Sequence, residues 1–302
     1  MKFGKLEHIE GVDFTLPLFD SQSQQILGGV PADDFQVFVG LPRWASKSWV
    51  GDIYPPKTKP AQYLKFYAKT FNTIEFNSTH YRSPSIDQVL KWREQVEFGF
   101  VFCPKIPQVI SHYRKLLNCQ PEVTAFLDSI AHFEEYLGCM FLQLPESFSP
   151  KMWENLAQFV SQWPTGFPLA LEFRHPDWFV DQALIPEVRN LLTQFHISTV
   201  ISDVAGRRDV SHQSLTTKTA MIRFVGNGLH KSDYRRFEKW LDAFADWKAR
   251  GLERLYVFPH QPDDVWTSSF GKYVRHALAE KLDVKFDPLQ VIPDSGDQLK
   301  LF

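Results

Sequence analysis

Hydrophobic and polar positions divide the chain into two alternating kinds of segment. Eight short runs are almost continuously apolar, and most stretches between them place apolar residues at the spacing of an amphipathic helix. Strands buried on both faces of a parallel sheet have this continuous apolar character. The sequence therefore predicts eight parallel strands, most of them followed by a helix. The predicted strands are residues 36–40, 73–77, 100–104, 139–143, 169–173, 198–202, 221–225 and 255–259.

This alternation favours an α/β fold, a single (β/α)₈ TIM-type barrel. The barrel spans residues 35–282, close to the ~250 residues typical of that architecture. Residues 1–34 form an N-terminal extension, and residues 283–302 form a flexible C-terminal tail rich in Pro, Gly and Asp. A doubly wound open sheet is the alternative fold, but no glycine-rich GxGxxG turn follows a strand, which weighs against a dinucleotide-binding domain.

Several helix starts can be read from the sequence. Ser85 and Gln88 have the spacing of a capping box, and Ser149 followed by proline predicts an N-cap. Pro121 is typical of a first helical turn. Residues 233–250 form an amphipathic segment and predict a long helix on the barrel surface.

Composition narrows the function classes. The 33 Lys and Arg residues nearly balance the 35 Asp and Glu residues, which excludes a globally basic nucleic-acid binder but leaves a local basic cleft open. No apolar run approaches the ~20 residues of a membrane-spanning helix, so no membrane association is expected. Three scattered cysteines form no metal or disulfide motif, and no secretory signal is recognisable. These features predict a cytoplasmic protein.

Polar residues at the strand ends are the candidate site, because the carboxyl ends of barrel strands and the loops after them carry the chemistry in this architecture. Two acids suit general acid–base catalysis, a buried lysine with a lowered pKa suits Schiff-base formation, and histidines with acids suit a divalent metal. No HxH or HExxH spacing supports the metal. The candidate catalytic residues are Glu75, Lys105, Glu172, His175 and Asp203.

A second set of residues is predicted to bind the ligand. Aromatic residues clustered after the first strand suggest a stacking wall for a sugar or a base, and basic or amide side chains suit phosphate contacts. The alternatives are that the rings pack against one another, and that the charges form a paired layer, such as Arg223 with Glu172, that only builds the barrel. The candidate ligand contacts are Trp44, Trp49, Tyr54, Asn77, Tyr81, Arg82, His112, Gln143, Arg174, Trp178, Arg223 and His260.

Taken together, these motifs resemble the YecE-like family, the domain-of-unknown-function family numbered 72. The resemblance spans most of the chain and implies a TIM barrel, but it implies no reaction. It departs at the last strand, where family members end in Asn-rich sequence and this chain reads Pro259-His260-Gln261. The matching motifs are Trp44-x₄-Trp49-x-Gly51-x-x-Tyr54-Pro55, residues 71–82, residues 105–112, Gln143-Leu144-Pro145-x-x-Phe148, Glu172-Phe173-Arg174-His175-Pro176-x-Trp178, and Asp203.

The last five residues resemble the Gln-Leu-x-Leu-Phe peptide with which bacterial replication and repair proteins bind the DNA sliding clamp. Gln298 supplies an amide, and Leu299, Leu301 and Phe302 supply apolar anchors. A flexible tail can present such anchors to a preformed pocket. The alternative is that these residues fold back onto the barrel.

Three functions therefore remain open at this stage. One is an enzyme that acts on nucleic acid, for example a phosphodiester hydrolase linked to repair or replication. Another is an isomerase or hydrolase of a sugar or a phosphorylated small molecule. The third is a non-catalytic adaptor that binds the clamp through its tail and a ligand at the barrel mouth.

The tail motif leads to the first testable prediction. Full-length protein should bind purified bacterial sliding clamp, and a chain lacking residues 298–302 should lose that binding, because the anchors reside in these five residues. Surface plasmon resonance measures both chains side by side. Equal binding by the two chains, or no binding by either, would contradict the clamp interpretation.

Overall fold

A computed structural model of the protein describes Gly4 and residues 6–286. Its eight barrel strands form one parallel sheet, and each predicted apolar run is confirmed as a strand with small shifts at its ends. In the order of the chain the strands are β1 (Gln36–Leu41), β2 (Thr73–Phe76), β3 (Val101–Pro104), β4 (Met140–Gln143), β5 (Leu169–Glu172), β6 (Ser198–Asp203), β7 (Thr219–Val225) and β8 (Arg254–His260).

The sheet curls into a nearly closed barrel. Its strand order is β3-β2-β1-β8-β7-β6-β5-β4, with every neighbouring pair parallel. Bridges join β3 to β4 through Phe102 with Leu137 and Lys105 with Phe141, and the amide of Ile106 donates to the Phe141 carbonyl at 2.8 Å. The predicted TIM-type fold is confirmed, and the alternative of an open doubly wound sheet is wrong.

Helices surround the barrel. They are α1 (Ser21–Leu27), α2 (Tyr63–Tyr67), α3 (Ile86–Arg93), α4 (Gln120–Ile130), α5 (Trp153–Ser161), α6 (Pro186–Gln194), α7 (Lys231–Arg250) and α8 (Asp264–Leu282).

The capping box before α3 is confirmed: the Gln88 amide donates to Ser85 Oγ at 3.3 Å, and the Ser85 amide donates to Gln88 Oε1 at 3.1 Å. Pro121 lies in the first turn of α4 as predicted. Ser149 occupies the N-cap position with Pro150 in the first turn, as predicted, but the turn is a 3₁₀ turn, Pro150–Met152, that precedes α5, and the Ser149 side chain makes no capping hydrogen bond.

Alternate strand residues build two different environments. Side chains that point outward pack under the helices in the main core. Side chains that point inward form a separate apolar cluster, in which Phe38 and Tyr256 stack with ring centroids 4.6 Å apart. This inner apolar layer consists of Phe38, Cys103, Cys139, Phe141, Ala170, Val200, Met221, Tyr256 and Phe258.

At Gly40, near the carboxyl end of β1, the backbone lies so close to β2 that no side chain fits between them. A Cβ placed on Gly40 would lie 2.2 Å from the carbonyl oxygen of Thr73, far inside van der Waals contact. Glycine is the residue that permits such a backbone approach. Strand β1 therefore adds no side chain to the carboxyl end of the barrel interior.

The N-terminal segment follows the outside of the barrel up to its carboxyl end. The Gly29 amide donates to Arg250 at 2.9 Å beside α7, and the Leu215 amide donates to Ser23 Oγ at 2.9 Å. Farther along, the Gly206 amide, in the loop after β6, donates to the Gly4 carbonyl at 2.9 Å. Among the described residues, no helix has the length and apolar character needed to cross a membrane.

The capping box gives a stability prediction. Ser85→Ala should lower the free energy of unfolding by about 1 kcal/mol, because it leaves a helix amide of α3 without its acceptor. Urea denaturation followed by circular dichroism measures the loss. Ser83→Ala, an exposed serine just outside the box, is the matched control and should change stability by less than half as much. Equal effects of the two substitutions would contradict the cap.

Candidate functional site

Directly above the inner apolar layer, polar side chains fill the carboxyl end of the barrel. They follow from strand alternation, since each lies two residues beyond an inward position, as Gln143 follows Phe141 and Glu172 follows Ala170. Every strand except β1 contributes, at its end or just past it. This polar layer comprises Glu75, Asn77, Lys105, Gln143, Glu172, Arg174, Ser202, Arg223 and His260.

Arg223 lies at the centre of the polar layer and is 2% exposed. Its guanidinium holds Glu75 with two hydrogen bonds, Nη2 to Oε1 at 2.8 Å and Nε to Oε2 at 3.2 Å. The remaining nitrogen, Nη1, donates to Glu172 Oε2 at 2.7 Å. One arginine thus bridges two carboxylates from β2 and β5, and the paired charges include the Arg223–Glu172 pair anticipated from the sequence.

The two carboxylates are fully satisfied by this network. Glu172 Oε1 also accepts from Arg174 Nε at 2.7 Å and from Ser202 Oγ at 3.1 Å. Burial alone would raise the pKa of Glu172, but the charges of Arg174 and Arg223 outweigh burial and lower it to about 2. At neutral pH this carboxyl group has no proton to donate, so the expected general-acid role does not suit it.

Glu75 has the same character. Asn77 Nδ2 donates to its Oε1 at 2.7 Å, and His260 Nε2 donates to its Oε2 at 2.7 Å. Burial opposes ionisation, yet Arg223 and His260 hold the pKa of Glu75 well below its usual value. Burial lowers the pKa of His260 more than Glu75 raises it, so the imidazole is neutral at neutral pH.

Lys105 is the cation of the layer that has no carboxylate within salt-bridge distance in the described part of the chain. Its Nζ donates to the amide oxygen Gln143 Oε1 at 2.9 Å, and the side chain is 7% exposed. Burial, followed by the charge of Arg223, lowers the pKa of Lys105 to about 8. An amine with that pKa changes its charge close to neutral pH.

Two histidines stand beside Lys105 at the rim of the mouth. His112 is carried by a π-helix, Val109–Tyr113, an irregular turn that often occurs at functional sites. Its ring lies 5.0 Å from the ring of His80, and both pKa values are lowered, first by burial and next by the Lys105 charge, that of His80 to about 4. His80 donates Nδ1–H to the Ile106 carbonyl at 2.8 Å, which leaves Nε2 as an acceptor.

The predicted aromatic wall is largely wrong. Trp49, Tyr54 and Trp178 have no exposed surface, and each directs its polar atom to a backbone carbonyl, Trp49 to Asp264 at 2.7 Å. Trp44 packs between Phe76, Trp92 and Phe102. A ring enclosed on all sides offers no face to a ligand. Trp49, Tyr54 and Trp178 therefore hold the loops in place instead of forming a stacking surface.

Asp203 also lies apart from the polar layer. As the last residue of β6 it points outward, where it accepts from Trp240 Nε1 at 2.7 Å and pairs with Arg236 at 2.9 Å and with Arg208. The expectation that its carboxylate joins the other acids at the mouth is wrong. At the end of β6, the side chain that points into the barrel is that of the preceding residue, Ser202.

The remaining predicted residues lie on the rim or outside it. His175 is partly exposed and caps the turn Pro176–Trp178 by accepting from the Asp177 amide at 3.2 Å. Tyr81, 74% exposed, and Arg82 are on the surface beyond the mouth. The four tail residues Gln298, Leu299, Leu301 and Phe302 lie outside the described residues.

Metal ligation finds no support in this geometry. Among Gly4 and residues 6–286, no group of three or more His, Cys, Asp or Glu side chains is arranged to hold a metal ion. The two acids of the polar layer, Glu75 and Glu172, face the guanidinium of Arg223, whose charge repels a cation at the same place.

A cavity of about 600 Å³ opens beside the polar layer. His260 forms part of its wall and also hydrogen-bonds Glu75, so the cavity reaches the layer through this side chain. Trp266 and His230 from the loops and helices after β8 and β7 form the opposite parts of the wall, and Leu6 and Ile9 of the N-terminal segment cover it.

Comparison with known proteins identifies the family to which this barrel belongs. Residues 38–287 match the family described as "Protein of unknown function DUF72". The chain belongs to the DUF72 family. It is 30% identical over 284 residues to the UPF0759 protein YecE of Escherichia coli K12 and to that of strain O157:H7, a match that covers 88% of this chain and all of each relative.

Solved structures of DUF72 family proteins share the fold. One from Enterococcus faecalis V583 has 16% sequence identity and a TM-score of 0.63, over 83% of this chain and 99% of its own. One from Thermotoga maritima MSB8 has 22% identity and the same TM-score, over 82% of this chain and all of its own. At these identities the likeness shows the barrel and nothing of its chemistry.

Two residues of this DUF72 barrel were missed by sequence reasoning. Ser202 has the inward parity of β6, two residues after Val200, so strand alternation alone would have found it. His80 lies in the 3₁₀ turn Asn77–His80 that follows β2, and no periodic signal marks which residues of such a turn face the mouth.

The central arginine yields a prediction with a pH signature. Arg223→Met should cost about 3–5 kcal/mol of unfolding free energy at neutral pH, because two buried carboxylates lose their partner. Arg250→Met, which removes a surface pair with Asp246, should cost far less, because solvent screens an exposed ion pair. Urea denaturation across a pH series measures both variants.

The sign of the pH effect separates charge from packing. In the parent protein the lowered pKa of Glu172 contributes stability above its ordinary value of 4.5, and this is lost as the pH falls towards about 2. Without Arg223, burial raises the pKa of the carboxyl groups, so their protonation in acid relieves the buried charge. The deficit of Arg223→Met should therefore shrink as the pH falls; a pH-independent deficit would contradict the charge argument.

Proposed function

We propose that this DUF72 protein is an enzyme that binds a small anionic ligand, a phosphorylated metabolite, at the carboxyl mouth of its barrel. The observation that carries the proposal is the buried ammonium group of Lys105, whose hydrogen-bond partner is an uncharged amide. A buried charge is costly unless a counter-charge compensates for it. An anionic group of a ligand is the natural counter-charge here.

The charge of the polar layer supports this interpretation. Its cations are Lys105, Arg174 and Arg223, and its carboxylates are Glu75 and Glu172. Because His260 is held neutral, the layer carries an excess of one positive charge. Lysine binds phosphate as a point charge, and it does so with most energy where water is excluded.

The dimensions of the mouth favour a small molecule over nucleic acid. The charged side chains of the layer are all less than one tenth exposed, so a duplex backbone cannot reach them. The cavity that meets the layer at His260 has the volume that small ligands occupy; Glu7 and Glu10 also line it, and Lys105 does not. The rings expected to stack on an extruded base are enclosed in the loops, which removes the main support for a nucleic-acid enzyme.

Proton transfer in such an enzyme would fall to the histidines. Glu75 and Glu172 are held ionised by Arg223, while His80 and His112 have lowered pKa values and are neutral at neutral pH. A neutral imidazole beside a bound ligand is a suitable general base. This division gives the carboxylates a positioning role and the imidazoles the proton-transfer role.

Titration with inorganic phosphate tests the proposal. Isothermal calorimetry should show binding that weakens about tenfold or more in Lys105→Met, the usual effect of losing a charge-assisted hydrogen bond. Binding should also weaken between about pH 7 and pH 9, because Lys105 loses its proton near pH 8. Sulfate, whose charge is constant in this range, separates the titration of the protein from that of phosphate.

Lys91→Met is the control, since this lysine is exposed on α3, and its binding should match the parent. Absence of phosphate and sulfate binding, or equal binding by Lys105→Met, would contradict the proposal. A salt-dependent affinity for a DNA oligonucleotide without affinity for either small anion would favour the nucleic-acid function instead.

A further inference from the structure

The backbone around Lys105 is fixed from three sides. The Lys105 amide donates to the Phe76 carbonyl at 3.1 Å, and the Lys105 carbonyl accepts from the Thr79 hydroxyl at 2.7 Å. Lys105 also forms a β-bridge with Phe141 on β4. The rigid strand end fixes where the side chain begins, and the hydrogen bond to Gln143 Oε1 holds its Nζ. This is the arrangement that a covalent catalyst needs.

The surroundings of Nζ make the ammonium form less favourable than it is for an exposed lysine, so that with a pKa of about 8 a minor fraction of the amine is neutral at neutral pH. Its hydrogen-bond partner, Gln143 Oε1 at 2.9 Å, accepts from an ammonium and from an amine alike, whereas a carboxylate would lock the ammonium form. Burial and then the charge of Arg223 lower the pKa of Lys105, and the charges of Glu172 and Glu75 offset only part of this. Desolvation next to another cation is a known way to activate a lysine nucleophile.

We propose that Lys105 is a nucleophile that forms an imine with an aldehyde or ketone group of the bound ligand. The inference deepens the proposed function, on which it rests, by naming the substrate class as a small anionic carbonyl compound. The anionic group lies against the cations of the layer, and the carbonyl carbon lies at Nζ.

The step balances without a further reactant. The Nζ lone pair attacks the carbonyl carbon, the π electrons of the C–O bond move to oxygen, and a proton passes from nitrogen to that oxygen. The carbinolamine then gives its second N–H proton to a base, which returns it to the hydroxyl group, and this group leaves as water while the C=N bond forms. The neutral imidazoles of His112 and His80, whose pKa values are lowered by burial and by the Lys105 charge, are the bases proposed to accept and return these protons.

Reductive trapping tests the imine on the full-length protein. Glycolaldehyde phosphate is added with borohydride, and glycolaldehyde without phosphate serves as the matched probe. Peptide mass spectrometry should find Lys105 increased by the mass of the probe less one oxygen atom, and excess inorganic phosphate should suppress this adduct. Lys105→Arg should lose the adduct while keeping phosphate affinity, and Lys91→Arg should keep both.

The outcomes separate the two proposals. If calorimetry shows that glycolaldehyde phosphate binds but no adduct forms on Lys105, the imine is overturned and anion binding stands. If an adduct forms on Lys105 with both probes and phosphate neither binds nor competes, the nucleophile stands and anion binding is overturned. If neither binding nor adduct occurs, both are overturned.

A second measurement removes the dependence on substrate choice. Limiting formaldehyde with cyanoborohydride reports amine nucleophilicity, and formaldehyde is small enough to enter the mouth. At about pH 7, Lys105 should be methylated at least about tenfold faster than exposed Lys91, because a larger fraction of its amine is neutral. Equal or slower methylation of Lys105 would overturn the proposal.

Discussion

The structure depends on one buried arginine that two carboxylates share. Arg223 connects Glu75, 148 residues earlier in the chain, with Glu172, 51 residues earlier, across the interior of the barrel. An ion pair in this environment costs desolvation energy that only complete hydrogen bonding offsets, and every oxygen of both carboxylates has a partner. The bridge is therefore sensitive to the loss of any one member, which makes it a means of fixing the register of β2, β5 and β7.

The same bridge decides what the other groups of the mouth can do. By holding both carboxyl groups ionised, Arg223 removes them as acids, and by its charge it makes the ammonium form of Lys105 less favourable. Without this bridge, the two acids and three cations of the layer would be interpreted as a set of acid–base pairs. With the bridge in place, the groups left for proton transfer in the proposed enzyme are the amine of Lys105, with a pKa of about 8, and the neutral imidazoles of His80 and His112.

Much of the fold follows from the sequence, and the reason is local. Continuous apolar runs such as residues 169–173 can only be strands buried on both faces, and the Ser85–Gln88 box closes within a single turn. The site follows only in part. Glu172 was found because its strand parity is inward, but Asp203 is one residue out of phase, and that single step turns its carboxylate to α7. Packing of Trp49 among other rings was one of the alternatives left open by the sequence, but its acceptor, a backbone carbonyl 215 residues away, could not be foreseen.

The aromatic loops hold in place the segments that surround the polar layer. Trp49 and Trp178 place their indole nitrogens on distant carbonyls and so anchor the loops after β1 and β5, while the turn Asn77–His80 is tied to β3 by the Thr79 hydroxyl. Loops fixed in this way need no rearrangement to present His80, His112 and Lys105 together. Preorganised groups in a site that excludes water act most strongly on a charge that develops there, so in the proposed enzyme the rings would support the mouth without contacting the ligand.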